Sequence, residues 1–236
     1  MKSDSMGSRV LLLVALLGGG GVGLAQSAET VIEPLSGTPF PTSLMPPAAE
    51  AAQQLAGTGL RARAVLFISV HVYAFGLYAD AEAARTTLSE FSGRSAAQLA
   101  GDQRFYRRLL DLEFAMTLRL VMVRTVAGTD VANAFDEALR PRLAAAGASA
   151  DDEGALRRFR AYFDAPEIKT GTEIVFACSP AGRLSTAIGG AERSPIDSPA
   201  LCRALFDVYL GSEPISVEGR KTVIGRFPEL LAGTAG

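Results

Sequence analysis

One histidine, His71, and two cysteines, Cys178 and Cys202, supply all the imidazole and thiol in 236 residues. A zinc site draws on about four nitrogen or sulfur ligands, commonly in CxxC or HxxxH spacing. Neither spacing occurs, so no metal is expected. A lone histidine also leaves no Ser-His-Asp set to assemble, and on a strand it reads as structural or solvent-facing. The glycines at 18–21 are followed by neither a GKS triplet nor a core strand, so there is no phosphate-cradling loop and no cofactor is expected. Neither sign of charge is in excess. The 23 basic and 25 acidic side chains leave −2, which gives no broad attraction to nucleic acid or anionic membranes. Two cysteines are too few for a disulfide framework. They are two buried thiols or one bridge, and small apolar fillers is the simpler reading.

What is abundant is apolar. At 48 % hydrophobic residues the chain can bury a substantial core, and its length suits one domain plus a leader. Lys2 and Arg9 precede the aliphatic and glycine run Val10–Leu24, and Ala25-Gln26-Ser27-Ala28 follows. A basic flank, an apolar centre and a small-residue exit read as a cleavable signal. The run is shorter than the ~20 residues that span a bilayer, and its glycines weaken a transmembrane helix. The expected division is therefore a leader at 1–27 and a domain at 28–236, without stable membrane insertion once the leader is removed. The expected destination is a plastid (chloroplast), with export or the periplasm as the alternative.

Within the domain, Pro34, Pro41, Pro46 and Pro47 mark extended chain along an edge. Arg61–Tyr78 is rich in β-branched and large residues but too long for one ordinary strand, which predicts two strands with a bend near Phe67–Ser69. Short helices and loops follow, with a local basic group at Arg104, Arg107 and Arg108 that suits a solvated helix face. Leu110–Val123 returns to a strand pattern. Thr129 and Asp130 then open a helix in which Val131, Phe135 and Leu139 recur every fourth residue, with Pro141 as its stop. A second helix covers about Asp151–Phe163, and Glu173–Ala177 with Arg183–Ile188 read as a hairpin. Ser198 and Pro199 start a third helix that ends at Gly211, and a fourth follows Pro214. Strands and interleaved helices in this order predict an α+β domain with a mostly antiparallel sheet.

Three stretches carry a resemblance. The first is Gly57-Thr58-Gly59-Leu60-Arg61 with Tyr73-Ala74-Phe75-Gly76-Leu77-Tyr78. The second is Leu118–Arg124 with Gly128, leading into Phe135-Asp136-Glu137-Ala138-Leu139. The third is Leu205–Gly211 with Pro214-Ile215-Ser216. Together, from about Glu33 to Arg226, they resemble the chalcone isomerase superfamily. The resemblance implies an open-faced β-sandwich, in which a large antiparallel sheet is covered by a layer of helices with a ligand cleft between them.

It also implies a choice between branches. The catalytic branch carries hydroxyl and amide side chains where this chain has Val131, Ala138 and Val208, and a threonine where it has Tyr73. Valine and alanine cannot donate hydrogen bonds to a ketone or phenolate. Arg61 together with Tyr73 is instead similar to the fatty-acid-binding branch. The expected function is non-catalytic, with a long-chain fatty acid, saturated or lightly unsaturated, as partner, no nucleic-acid partner and a monomeric state. The alternatives are a chalcone isomerase (an intramolecular lyase) and an accessory protein of a biosynthetic enzyme. The expected ligand-binding residues are Arg61, Tyr73, Phe75, Arg124, Val131, Phe135 and Val208. Arg61 and Tyr73 take the carboxylate, with Arg124 assisting them or pairing with an acid. The tail is expected along Phe67, Phe75, Val121, Val123, Phe135 and Val208.

Overall fold

The computed structural model describes residues 29–233 except Leu66; the expected leader lies outside them. In chain order the elements are β1 (Thr30–Ile32), β2 (Pro39–Pro41), β3 (Ser43–Leu44), β4 (Gln53–Val65), β5 (Ile68–Ala79), α1 (Ala81–Thr87), α2 (Ala96–Gly101), α3 (Gln103–Leu110) and β6 (Met116–Met122). There follow α4 (Gly128–Ala145), α5 (Ala150–Ala161), β7 (Glu173–Cys178), β8 (Arg183–Ile188), β9 (Ala191–Glu192), β10 (Ile196–Asp197), α6 (Pro199–Leu210) and α7 (Val217–Ala232). One antiparallel sheet runs β10-β8-β7-β6-β5-β4-β3, with β9 added to β8. The helices cover one face, giving the open-faced β-sandwich and α+β class.

Close backbone approach sets that cover. A Cβ on Gly59 would lie 2.6 Å from the Cα of Gly219 and 2.5 Å from the Phe75 ring, so α7 rests directly on β4 only because Gly59 and Gly219 lack side chains. The other face carries a smaller apolar cluster of Phe40, Leu55, Leu60, Ala74 and Tyr78, joined by the half-buried Val31, Leu44, Val121 and Val123. There the β1–β2 hairpin lays Phe40 over Gly76. Val121 and Val123 therefore do not line a cleft under the helices. Their parity on β6 points them away, because successive strand side chains alternate faces.

Two helix expectations are corrected. Thr129 is not the cap: the helix begins at Gly128, with Ala127 in extended conformation before it. Pro141 does not end it either. The helix continues to Ala145, and Leu143, fully buried on its core face beyond the proline, works against the ~3 kcal/mol that an interior proline costs. Ser198 and Pro199 do start α6, the Ser198 hydroxyl accepting from the Leu201 N–H at 3.0 Å. Arg104 and Arg108 pair with Glu90, and Arg108 also with Glu113. Cys178 and Cys202 are bonded to each other and buried, tying the end of β7 to the first turn of α6. The simpler reading as separate apolar fillers fails here because the hairpin and α6 bring the two Cα atoms within 6.0 Å.

Candidate functional site

A cavity of about 750 Å³ opens between the sheet and the helices, within the ~300–1,000 Å³ range of small-molecule sites. Its sheet wall is built by Val70, Val72 and Tyr73 of β5, Leu120 and Met122 of β6 and Ile174 of β7. Its helix wall is built by Val131, Ala134, Phe135 and Ala138 of α4 and Val208 of α6. Pro214 and Ile215 close one side. Phe135 is held by an aromatic cluster, its ring 5.4 Å from Phe159 and Phe163 and 5.5 Å from Phe176.

A bulge decides which strand residues face inward. Arg61 pairs with Tyr73, but the next pair is Ala62 with His71, which leaves Val72 as the extra residue. One extra residue reverses the alternation of every position beyond it. Tyr73, on the parity of Phe75 and Leu77, faces the helices; past the bulge Val72 and Val70 face them too, while His71 is exposed. Counting by twos from Tyr73 would have put His71 inside.

Arg61 enters the cavity from β4, with Arg63 two residues nearer the β4–β5 turn. The Arg61 Nη1 donates to the Ile215 carbonyl oxygen at 3.5 Å, the outer limit of a hydrogen bond. Among the described residues no carboxylate lies within salt-bridge distance of Arg61, Arg63 or Arg124. Arg142, also in the wall, is fully engaged. It donates to the Asp207 carboxylate at 2.7 Å, to the Ala138 carbonyl at 2.7 Å and to the Glu213 carbonyl at 2.8 Å. It joins α4 to α6 and the loop beyond. Asp130, Glu137 and Glu213 stand exposed on the helical side of the rim.

The Tyr73 and Tyr209 hydroxyls are 2.9 Å apart. Tyr73 is half-buried as a residue but its hydroxyl is enclosed. Burial pushes its pKa up, against the opposing effects of the Tyr209 hydrogen bond and the Arg61 charge. Tyr209 is driven well above the ordinary tyrosine value, mainly by burial and then by Tyr73, again with Arg61 acting the other way. The guanidinium is thus close enough to act on both phenols, and both remain neutral donors. When Tyr209 donates to Tyr73, the Tyr73 proton is free for an anion in the cavity. Tyr209 was not among the expected residues. Its ring lies edge-on to Phe75, centroids 4.9 Å apart, on a helix position whose inward direction only the packed structure reveals.

Of the expected binding residues, Arg61, Tyr73, Arg124, Val131, Phe135 and Val208 come together in this wall. Phe75 does not. It is 1 % exposed, wedged beneath Gly59, Gly219 and Tyr209, where α7 covers it. Phe67 lines no wall either; it is fully exposed at the β4–β5 turn. Among the described residues there is no cluster of three metal-ligating side chains and no helix long and apolar enough to cross a membrane.

The family described as chalcone-flavanone isomerase matches residues 35–230. The chain is 32 % identical to fatty-acid-binding protein 1 of Arabidopsis thaliana, over 86 % of this chain and 72 % of that protein. It is 30 % identical to a chalcone–flavanone isomerase of Hordeum vulgare, over 85 % and 90 %. The crystal structure of an Arabidopsis thaliana fatty-acid binding protein superposes with a TM-score of 0.76 at 31 % identity, covering 86 % of this chain and all of that one. The matched span takes in the sheet, the helical cover and every residue of the Arg61–Tyr73–Tyr209 group, and the chain belongs to the chalcone-flavanone isomerase family.

Proposed function

We propose that this protein is a non-catalytic fatty-acid carrier that seats the ligand carboxylate on Arg61 and Tyr73. The observation that carries the proposal is a guanidinium with no acidic partner beside an enclosed phenol, in a cavity that Val72, Leu120, Met122, Val131, Phe135 and Val208 also line. Arginine presents a planar fork that matches a carboxylate bidentately and stays charged at any working pH. Tyr73 adds a third, neutral donor. The tail then runs along Val72, Leu120, Met122, Val131, Phe135 and Val208. Each methylene taken from water contributes about 0.8 kcal/mol, so the chain supplies most of the affinity and Arg61 sets the direction. Similarity to proteins named for fatty-acid binding supports this reading.

Against isomerisation, Val131, Ala138 and Val208 offer the cavity only hydrocarbon. The buried Cys178–Cys202 bridge supports an oxidising destination for the mature chain, such as a plastid lumen or an exported location. The decisive experiment is native mass spectrometry of protein purified under mild conditions. A co-purifying mass of a free fatty acid is expected. A protein that arrives empty, fails to take up added fatty acid and accelerates the absorbance loss of naringenin chalcone would overturn the proposal in favour of the isomerase.

A further inference from the structure

We propose that the far end of the β4–β5 hairpin is a docking finger for an anionic bilayer, which brings the cavity mouth to the membrane surface. Pairing between β5 and β6 stops at Tyr73 and Met122, with one last bond from the Val123 N–H to the Val72 carbonyl oxygen at 3.1 Å. The β4–β5 pairing goes on through Ala62–His71, Arg63–Val70, Ala64–Ser69 and Val65–Ile68. At ~3.3 Å per residue, these pairs make a two-stranded ribbon extending about 13 Å past the third strand. Its turn holds Phe67, fully exposed, and Ile68, 69 % exposed. The same ribbon is the cavity wall, since Arg63 and Val70 line it.

Charge identifies the partner. Residues 62–71 contain no aspartate or glutamate, and their charge is Arg63, with His71 beside it. Arg124, exposed at the end of β6, adds a second unpaired guanidinium on the sheet side of the mouth. The acids at the rim, Asp130, Glu137 and Glu213, all belong to the opposite, helical side. The near-neutral total therefore hides a local cationic edge with an apolar point. Phe67 and Ile68, the exposed apolar side chains among the described residues of the tip, fall far short of the ~1,200 Å² that a stable protein interface buries. They suit insertion of ~5–10 Å into the boundary between headgroups and acyl chains, with flanking arginines on anionic headgroups. The cations also form two levels: Arg63 and Arg124 exposed at the mouth, Arg61 half-buried within. A fatty acid drawn from the bilayer would pass its carboxylate from the outer pair to Arg61, a step that rests on the function proposed above.

The test compares the wild-type chain with F67S/I68S in co-flotation with vesicles of phosphatidylcholine, with and without phosphatidylglycerol. Binding of a fluorescent fatty acid in vesicle-free solution is measured in parallel. Neither Phe67 nor Ile68 lines the cavity or packs in the core, so the variant is expected to keep the wild-type solution affinity. Wild type should bind the phosphatidylglycerol vesicles and the variant about tenfold less. Equal binding by both, or no wild-type binding to anionic vesicles, overturns the proposal. Self-association of the wild type that the variant abolishes without lipid also overturns it, making the tip a contact between copies. Vesicle binding without fatty-acid binding would leave the docking finger standing and sink the carrier reading alone.

Discussion

Replacing Arg61 separates a ligand-holding arginine from a structural one, because the two roles predict opposite changes in two measurements. Within the chain Arg61 has one marginal bond, 3.5 Å to the Ile215 carbonyl oxygen, and no ion pair among the described residues. Its desolvation is therefore largely uncompensated, and Arg61→Ala should leave the melting temperature within about 2 °C of wild type or raise it. With a carboxylate bound, the fork makes two charge-assisted hydrogen bonds, each contributing ~1.5–3 kcal/mol. The residue is half-exposed, so the low end applies, and the loss is about 3 kcal/mol. That corresponds to roughly 150-fold weaker binding. Arg61→Lys keeps the charge but not the fork and should fall between, near tenfold. The assay is displacement of a fluorescent fatty acid, run beside thermal unfolding without ligand. A melting temperature lowered by several degrees with affinity within about twofold of wild type would show that Arg61 supports the fold rather than the ligand.

Further outcomes follow from the structure. Tyr209→Phe keeps the edge contact with Phe75 but removes the donor behind Tyr73; affinity should drop about fivefold. The double variant Y73F/Y209F should bind no worse than Tyr73→Phe alone, as a shared relay requires. Reducing the Cys178–Cys202 bridge, whose cysteines are 24 residues apart, should cost about 3 kcal/mol of stability, read from denaturant midpoints with and without reductant. Tyr73, Tyr78 and Tyr209 have raised pKa values through burial. Their contribution to stability is thus fully present below pH ~10, where the unfolded phenols begin to ionise, and is lost as pH rises further. Denaturant midpoints should accordingly hold from pH 8 to about 10 and fall above it. Gly59→Ala should destabilise by ~2–3 kcal/mol or more in the same titration, since its methyl would meet α7 backbone and the Phe75 ring.

Local chemistry was legible from the residues alone. The β-branched and large residues of Arg61–Tyr78, the four-residue recurrence of Val131, Phe135 and Leu139, and the Ser198-Pro199 start of α6 each depend on neighbours a few positions away. The pairing of Arg61 with Tyr73 was legible too, through the motifs that carry the family resemblance. What tertiary structure alone decided are facts of long-range contact. Only the β4–β5 register places the bulge at Val72, and with it the inward turn of Val70 and the outward turn of His71. Only strand parity across the assembled sheet sends Val121 and Val123 to the far face, and only the descent of α7 onto Gly59 seals Phe75 from the cavity. The Cys178–Cys202 bridge and the Tyr209 hydroxyl behind Tyr73 likewise need α6 laid against the sheet. A side chain's neighbours within a strand or helix are set by backbone period, whereas its neighbours across elements are set by packing the whole chain at once.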